Sequence, residues 1–377
     1  MKRFFIAVVL LAVLAGLVVA VPMALRSHDD GFDDVGLLAA DAEQLAATVV
    51  TPHLETPLEP DKSLLYCGTF QLAWNELCAL IGGDVQFDPP GPEMVGVLNR
   101  EAFTKDRLDA DSYVAVADFV RNDPHGRIRR ELDRKFGGAA TPRFIPREEL
   151  TPRPQDIVSY CYLLKTLEFE VPFERAEEPI RFSGAEVPGF GVSREYKPAH
   201  EKMYGQVRVL DYRGPDDFIV ELLTKSEGDR LILAKIEPRQ TLGAMVETVQ
   251  ERTAEAEPSP AGRGDVLRMP RLNFDLTRRY SELEGRRLVS SNPGVADDLI
   301  LLSAVQNTRF QLDEKGVRLR SESHTSFGCG ASPPPRVNRV MVFDGPFLIL
   351  LQRAGASLPY FALWVDNPEI LGAARGG

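Results

Sequence analysis

Cysteine, histidine and tryptophan are all scarce: the 377 residues contain 4 Cys, 5 His and 2 Trp. Four cysteines exclude a dense disulfide scaffold, and so few thiols and imidazoles exclude multi-zinc architectures. Basic residues are in deficit, with 44 Lys and Arg against 55 Asp and Glu for a net charge of −11. That balance excludes a general nucleic-acid binder, which needs clustered positive charge to neutralise phosphates. There is no Walker phosphate loop, no GxGxxG, no HExxH and no GxSxG. His28, His53, His125, His200 and His324 stand isolated, with no ligand partner nearby in sequence. The expectation is therefore a non-enzyme, with no cofactor and no metal.

What is present is a normal globular composition, 44% apolar and 26% charged. Pro 28 and Gly 30 supply many turns, which suits a sheet-rich fold. The amino terminus carries the longest apolar run. After the basic start at Lys2 and Arg3, residues 4–25 (FFIAVVLLAVLAGLVVAVPMAL) are uninterrupted and are closed by Arg26. As a helix at ~1.5 Å per residue this run reaches roughly 33 Å, enough for a bilayer core of about 30 Å. Signal-peptide apolar regions are shorter, ~7–15 residues, so the length favours an uncleaved anchor. Val18-Val19-Ala20 offers a small-residue cleavage site, and a cleaved signal is the alternative. Either way Lys2 and Arg3 keep the start cytoplasmic and the remaining chain is exported. The expected place is the extracytoplasmic face of a membrane, or secreted or periplasmic if the terminus is cleaved. Export permits disulfides, and Cys67, Cys78, Cys161 and Cys329 allow two bridges in three connectivities, or buried thiols instead.

Residues 1–26 thus form the anchor or signal and 27–34 (SHDDGFDD) a polar spacer. Residues 35–49 space Leu38, Ala42, Leu45 and Val49 as on an amphipathic helix. Residues 63–81 read as a short strand turning into a buried helix, 94–108 as a helix, and 113–120 as an alternating strand. Residues 126–136 form a charged helix stopped by Gly137-Gly138. Residues 157–167 read as a long central strand. Strands follow over 204–212, 218–224 and 230–236, then a helix over 242–253 and a Pro/Gly linker over 255–264. Beyond it come strand 266–274, helix 277–283, and strands 304–312, 347–352 and 360–365. Many strands without regular βα alternation indicate an α+β chain with mixed or antiparallel sheets in one domain. Two weak signals have plain explanations. Arg127, Arg129, Arg130, Arg134 and Lys135 could meet a polyanion, but Glu131 and Asp133 on the same helix suit a solvated face. Arg263-Gly264-Asp265 is an adhesion-type tripeptide, more simply a chance occurrence in a linker.

Four ordered segments of the last third carry the specific information. They are residues 269–276 (MPRLNFDL), 302–316 (LSAVQNTRFQLDEKG), Pro333-Pro334-Pro335 followed by 343–350 (FDGPFLIL), and 360–368 (YFALWVDNP). Together they resemble the serpin family: its MPRF-type strand, the strand feeding the reactive-centre loop with its Glu-Lys-Gly hinge, the buried hairpin after the loop, and the closing strand. Upstream, residues 157–173 (IVSYCYLLKTLEFEVPF) resemble the long central strand with its Pro-Phe exit, and 113–137 a neighbouring strand and helix. The resemblance spans about residues 35–370. It implies a serpin-like fold over 35–371: a large mixed β-sheet, a second barrel-like sheet set, flanking helices and an exposed loop over 317–335. This chain departs from the family in several places. The interval 141–154 is too short and Pro-rich for the helix that crosses the family's main sheet. Phe169 stands where a tryptophan is expected and Gln306 where a histidine is expected.

In the family, inhibitors are spring traps: the cleaved loop inserts as a new strand and drags the acyl-enzyme with it. By that resemblance Glu314, Lys315, Gly316, Val317 and Leu319 form the hinge. The scissile region falls at Phe327, Gly328, Cys329, Gly330 and Ala331. From Val317 onward the loop alternates, with Val317, Leu319, Ser321, Ser323, Thr325, Phe327 and Cys329 on one face and Arg318, Arg320, Glu322, His324 and Ser326 on the other. Inhibitors carry small residues, mostly Ala, just after the hinge. Here Leu319 is bulky, and overpacking one inward slot costs about 1–3 kcal/mol. The expectation is therefore a non-inhibitory binding or structural protein, with a serine or cysteine protease inhibitor as the alternative. The partner implied is a protease or another extracytoplasmic protein, with membrane contact through residues 4–25. Cys67 and Cys161 lie where the family has small polar residues near the sheet's opening region, and a bridge between them would pin that sheet.

Overall fold

Phe347–Arg353 and Phe361–Val365 are almost continuously apolar, as strands must be when both faces are covered. In the computed structural model, which describes residues 36–137, 140, 153–192, 200–289, 299–319 and 338–372, these two strands lie inside an eight-stranded sheet. Its order is Ser259–Pro260, Val207–Gly214, Asp217–Leu222, Asp229–Lys235, Phe347–Arg353, Phe361–Val365, Ser63–Cys67 and Thr48–Thr51. On one face Leu348, Leu350, Ala362 and Trp364 pack against Leu242, Met245, Val246 and Val249 of helix Leu242–Thr253. Thr241 caps that helix by accepting the Ala244 N–H. On the other face Ile349, Leu351 and Leu363 meet Phe274, Phe310 and Leu312 of a second, central sheet.

The central sheet has five strands in the order Leu38–Asp41, Leu272–Arg279, Val305–Asp313, Gly316–Leu319 and Lys165–Glu168. The first pair is parallel and the rest antiparallel, so the sheet is mixed. A four-stranded sheet of Val340–Val342, Val266–Pro270, Gly189–Val192 and Glu174–Arg175 completes the set. The α+β class expected from the sequence is the class found, and its hairpin at 347–365 is the buried one anticipated.

The long strand expected over 157–167 is broken at Leu164, whose N–H bonds Ser112 O. Its upper part, Lys165–Glu168, belongs to the central sheet. Its lower part, Ile157–Leu163, forms a ribbon with Tyr113–Phe119. One face of the ribbon rests on helix Thr69–Ile81, where Ser159 Oγ donates to Ala73 O. The opposite face carries Val114, Val116 and Val158, which pack on Ile128 and Leu132. So helix Pro124–Phe136, the charged one expected over 126–136, covers the outer side of the ribbon. The helix ends at Gly137, in the left-handed region at φ 55°. Its cations are mostly engaged: Arg127 with Asp118, Arg130 with Asp123, Arg134 with Glu131, and Lys135 with the Tyr113 carbonyl.

Three expected helices differ. Residues 35–49 form strand Leu38–Asp41, a 3-10 turn Ala42–Gln44 and strand Thr48–Thr51. Their backbone is satisfied from outside. Leu38–Asp41 pairs with Leu272–Arg279, and Glu369 accepts the N–H groups of Ala46 and Ala47. The helix expected over 94–108 stops after Leu98, because the Asn99 side chain instead bridges Val85 and Trp74. The 277–283 segment continues a strand to Arg279 and then turns. In the Arg263-Gly264-Asp265 tripeptide, Asp265 is buried against Arg339 at 2.8 Å, so the motif is not displayed.

Among the described residues no helix is long and apolar enough to cross a membrane. The apolar run 4–25 lies outside them.

Candidate hinge and sheet slot

Glu314, Lys315 and Gly316 sit at the junction of two central-sheet strands. Val305–Asp313 rises to a tight turn at Glu314 and Lys315, and Gly316–Leu319 returns antiparallel to it. Phe169 N–H donates to Lys315 O and Phe173 N–H to Glu314 O, at 2.9 and 2.8 Å. These residues belong to the Pro-Phe exit, where Phe169 and Phe173 meet edge to face. Asp313 accepts the Lys315 N–H at 2.8 Å, closing the turn. Val317 and Leu319 are buried in the main core. All five expected hinge residues are therefore brought together, with the segment Gly316–Leu319 already a strand of the sheet. The expected scissile residues Phe327, Gly328, Cys329, Gly330 and Ala331 lie outside the described residues.

The turn at Glu314 is clamped electrostatically. Glu314 accepts from Arg175 Nε at 2.6 Å and lies 3.4 Å from Arg271. Burial pushes its carboxyl up, but its own backbone N–H, Arg175 and Arg271 outweigh that and hold it below the usual carboxylate range. A lowered folded value means the clamp is fully present above the unfolded carboxylate value of about 4.3 and is lost as pH falls through the lowered one. Amide exchange at 316–319 is thus expected to accelerate only on acidification below about pH 4. Glu314→Gln should raise exchange near neutral pH and flatten that acid limb. An unchanged pH profile in the variant would remove Glu314 from the hinge's support.

Below Leu319 the two flanking strands part. Among the described residues, no strand pairs with the edge of Ile157–Leu163 that faces away from Tyr113–Phe119. None pairs with the Val305–Phe310 edge that faces away from Leu272–Arg279 either. These two edges, which continue the strands flanking Gly316–Leu319, are the two sides of the candidate slot. At its floor Gln306 accepts from Tyr280 OH at 2.8 Å and donates to Cys67 O at 2.9 Å and Thr69 Oγ1 at 3.0 Å. Cys67, Cys78 and Cys161 are free thiols. At the slot's upper end Lys165, register partner of Leu319, reaches Asp229 of the eight-stranded sheet at 2.9 Å. Arg175, Arg271, Lys165 and Asp229 escaped the sequence reading because their partners lie tens of residues away and no local spacing announces them.

No family model matches the chain, and no curated protein matches it. Among solved structures it is similar to Serpin48, a highly specific serpin of the insect Tenebrio molitor. Identity is 13% over 82% of this chain and 92% of that one, with a TM-score of 0.44. It is also similar to the Manduca sexta serine protease inhibitor Serpin-12, at 12% identity over 83% and 94% of the two chains, TM-score 0.47. A third is thyroxine-binding globulin in complex with thyroxine, at 12% over 66% and 65%, TM-score 0.37.

Proposed function

We propose that this protein inhibits a protease by inserting its loop into the central sheet after cleavage. The observation that carries this is the hinge strand already seated between Val305–Asp313 and Lys165–Glu168. The objection drawn from bulky Leu319 loses its force, since Leu319 is accommodated beneath the sheet at 5% exposure. Prolonging the observed register down the slot would set Ser321 beside Thr308, Ser323 beside Gln306, and Thr325 beside Ser159. Those inward positions are small, as insertion requires. Prolonged further, the same register would reach the end of strand Ile157–Leu163 at Phe327, which puts the cut bond at or beyond it, within 327–331. Arg318 and Arg320 fall too early to serve as bait. The apolar run 4–25 supports an exported, membrane-anchored setting.

A second reading is a non-inhibitory binding or structural protein. It is favoured by the four residues Gly316–Leu319 already forming a strand of the sheet, which reduce the stabilisation left to be released. Limited proteolysis within 320–337, followed by thermal unfolding, separates the two. Insertion with a net gain of about 5 kcal/mol would raise the midpoint by roughly 5–10 °C. An unchanged or lowered midpoint after the cut would leave the second reading. A panel of proteases should then give an inhibitor's detergent-stable complexes, and the complex's cut site identifies the bait residue.

A further inference from the structure

We infer that Cys67 and Cys161 are the two halves of a redox latch that, when oxidised to a disulfide, ties one lip of the slot to its floor. The inference builds on the insertion reading for its consequence, but not for the pairing itself.

The pairing follows from register. The observed registers end at Gln311 and Lys165; prolonged past them, they would bring Gln306 on one flanking strand and Cys161 on the other to the same level. Gln306 Nε2 donates to the Cys67 carbonyl at 2.9 Å. Cys161 shares its face of the ribbon with Ser159, which points down onto helix Thr69–Ile81, the element that starts two residues after Cys67. Cys67 is thus held, through its carbonyl, to the residue that the prolonged register sets level with Cys161. Charge coupling agrees with this placement: burial raises the Cys161 thiol first, and the Cys67 charge raises it further. Cys67 is itself raised by burial, against the opposing bonds from Thr69. Cys78 is elsewhere, beside Asn99 in the cluster around Trp74.

The chemistry needs an oxidant, for which a small disulfide such as glutathione disulfide suffices. Cys161, the more exposed of the two, loses its proton and attacks one sulfur, releasing one glutathione thiolate. Cys67 then loses its proton and attacks the mixed disulfide at Cys161, releasing the second glutathione. Two electrons pass from the protein thiols to the glutathione sulfurs, and two protons leave the protein. Raised thiols are mostly protonated at neutral pH, so the exchange should take on the order of hours. Once formed, the bond fixes Ile157–Leu163 against the floor. The lip can no longer move to admit residues beyond Leu319, and the oxidised chain is insertion-incompetent while the reduced chain is competent.

The test uses the full chain with Cys78→Ser and Cys329→Ser, so that only one pair remains. After equilibration in reduced or oxidised glutathione, non-reducing peptide mapping should find a peptide containing 67 linked to one containing 161 in the oxidised sample only. Loop cleavage should then raise the thermal midpoint in the reduced sample and leave it unchanged in the oxidised one. Adding Cys161→Ser should restore the rise under both conditions. Absence of the linked peptide overturns the latch. So does a midpoint rise that ignores redox state despite a mapped bond. If cleavage produces no rise in any sample, the insertion reading fails on its own account, while the peptide map still decides the pairing.

Discussion

Replacing Lys165 with methionine should lower the unfolding free energy by about 3–5 kcal/mol, a large loss for one surface-distant side chain. Lys165 and Asp229 are both nearly buried, at 7% and 6% side-chain exposure, and meet at 2.9 Å between the central and eight-stranded sheets. Ser226 Oγ donates to the same carboxylate at 2.9 Å. Tyr360, fully buried, is raised first by burial and then by the Asp229 charge. Asp229 is thus the hub, and Lys165 the only cation within bonding distance of it among the described residues. Methionine fills the same space and suits the neighbouring Leu319, so packing changes little. What remains is a carboxylate stripped of water and of its counter-charge, and that accounts for the size of the loss. The double variant Lys165→Met with Asp229→Asn should recover most of it, because the introduced amide can still accept from Ser226 without carrying charge. Urea unfolding of the three proteins at one pH measures both numbers. A single variant within about 1 kcal/mol of the parent would mean that water reaches the pair and that the two sheets are joined here by packing alone.

The strands legible in the sequence were those whose burial is simple. Phe347–Arg353 and Phe361–Val365 are apolar on both faces, and Asp217–Leu222 and Asp229–Lys235 are short runs between turn residues. The turn at Glu314 and Lys315 was legible too, because Glu314-Lys315-Gly316 is a local motif. Residues 38–51 were not. Their helical spacing is real, but the free edge of Leu272–Arg279 offers four ladder positions that an isolated short helix could not match. The break at Leu164 was equally hidden. Residues 157–168 are uniformly strand-like, and only the arrival of Gly316–Leu319 on one side and Tyr113–Phe119 on the other divides them. The clamp on Glu314 and the Lys165–Asp229 pair are matters of tertiary meeting, with partners 43 or more residues apart, and composition carries no trace of them. Leu319 shows the same limit from the other side. Read as bulk in a loop it argues against insertion, whereas in place it is a core residue.

Gly316→Ala should expel the hinge strand from the central sheet. Gly316 adopts φ 143°, within the range that side-chain-bearing residues avoid. A Cβ there would lie 2.3 Å from Leu167 O and 2.8 Å from Glu168 Cα. Both are backbone atoms of the pairing partner, so neither can swing aside as a side chain would. The strain is relieved only if Gly316–Leu319 leaves its place between Val305–Asp313 and Lys165–Glu168. Val317 and Leu319 would then lose their burial, worth about 1.5–3 kcal/mol each. A fall of about 5–10 °C in the thermal midpoint is the expected scale. Amides at 317–319 should lose their exchange protection while those of Phe347–Arg353 keep theirs. On the insertion reading, the loop-cleaved variant should show no midpoint rise, because the strand to be lengthened has left the sheet. Gly96→Ala is the control: its Cβ meets nothing within 4 Å, and as a helix position it should gain about 0.5–1 kcal/mol. If Gly316→Ala keeps both its midpoint and its protected hinge amides, the close approach at Leu167 is not what demands glycine. The hinge strand would then owe its place to the Glu314 clamp instead.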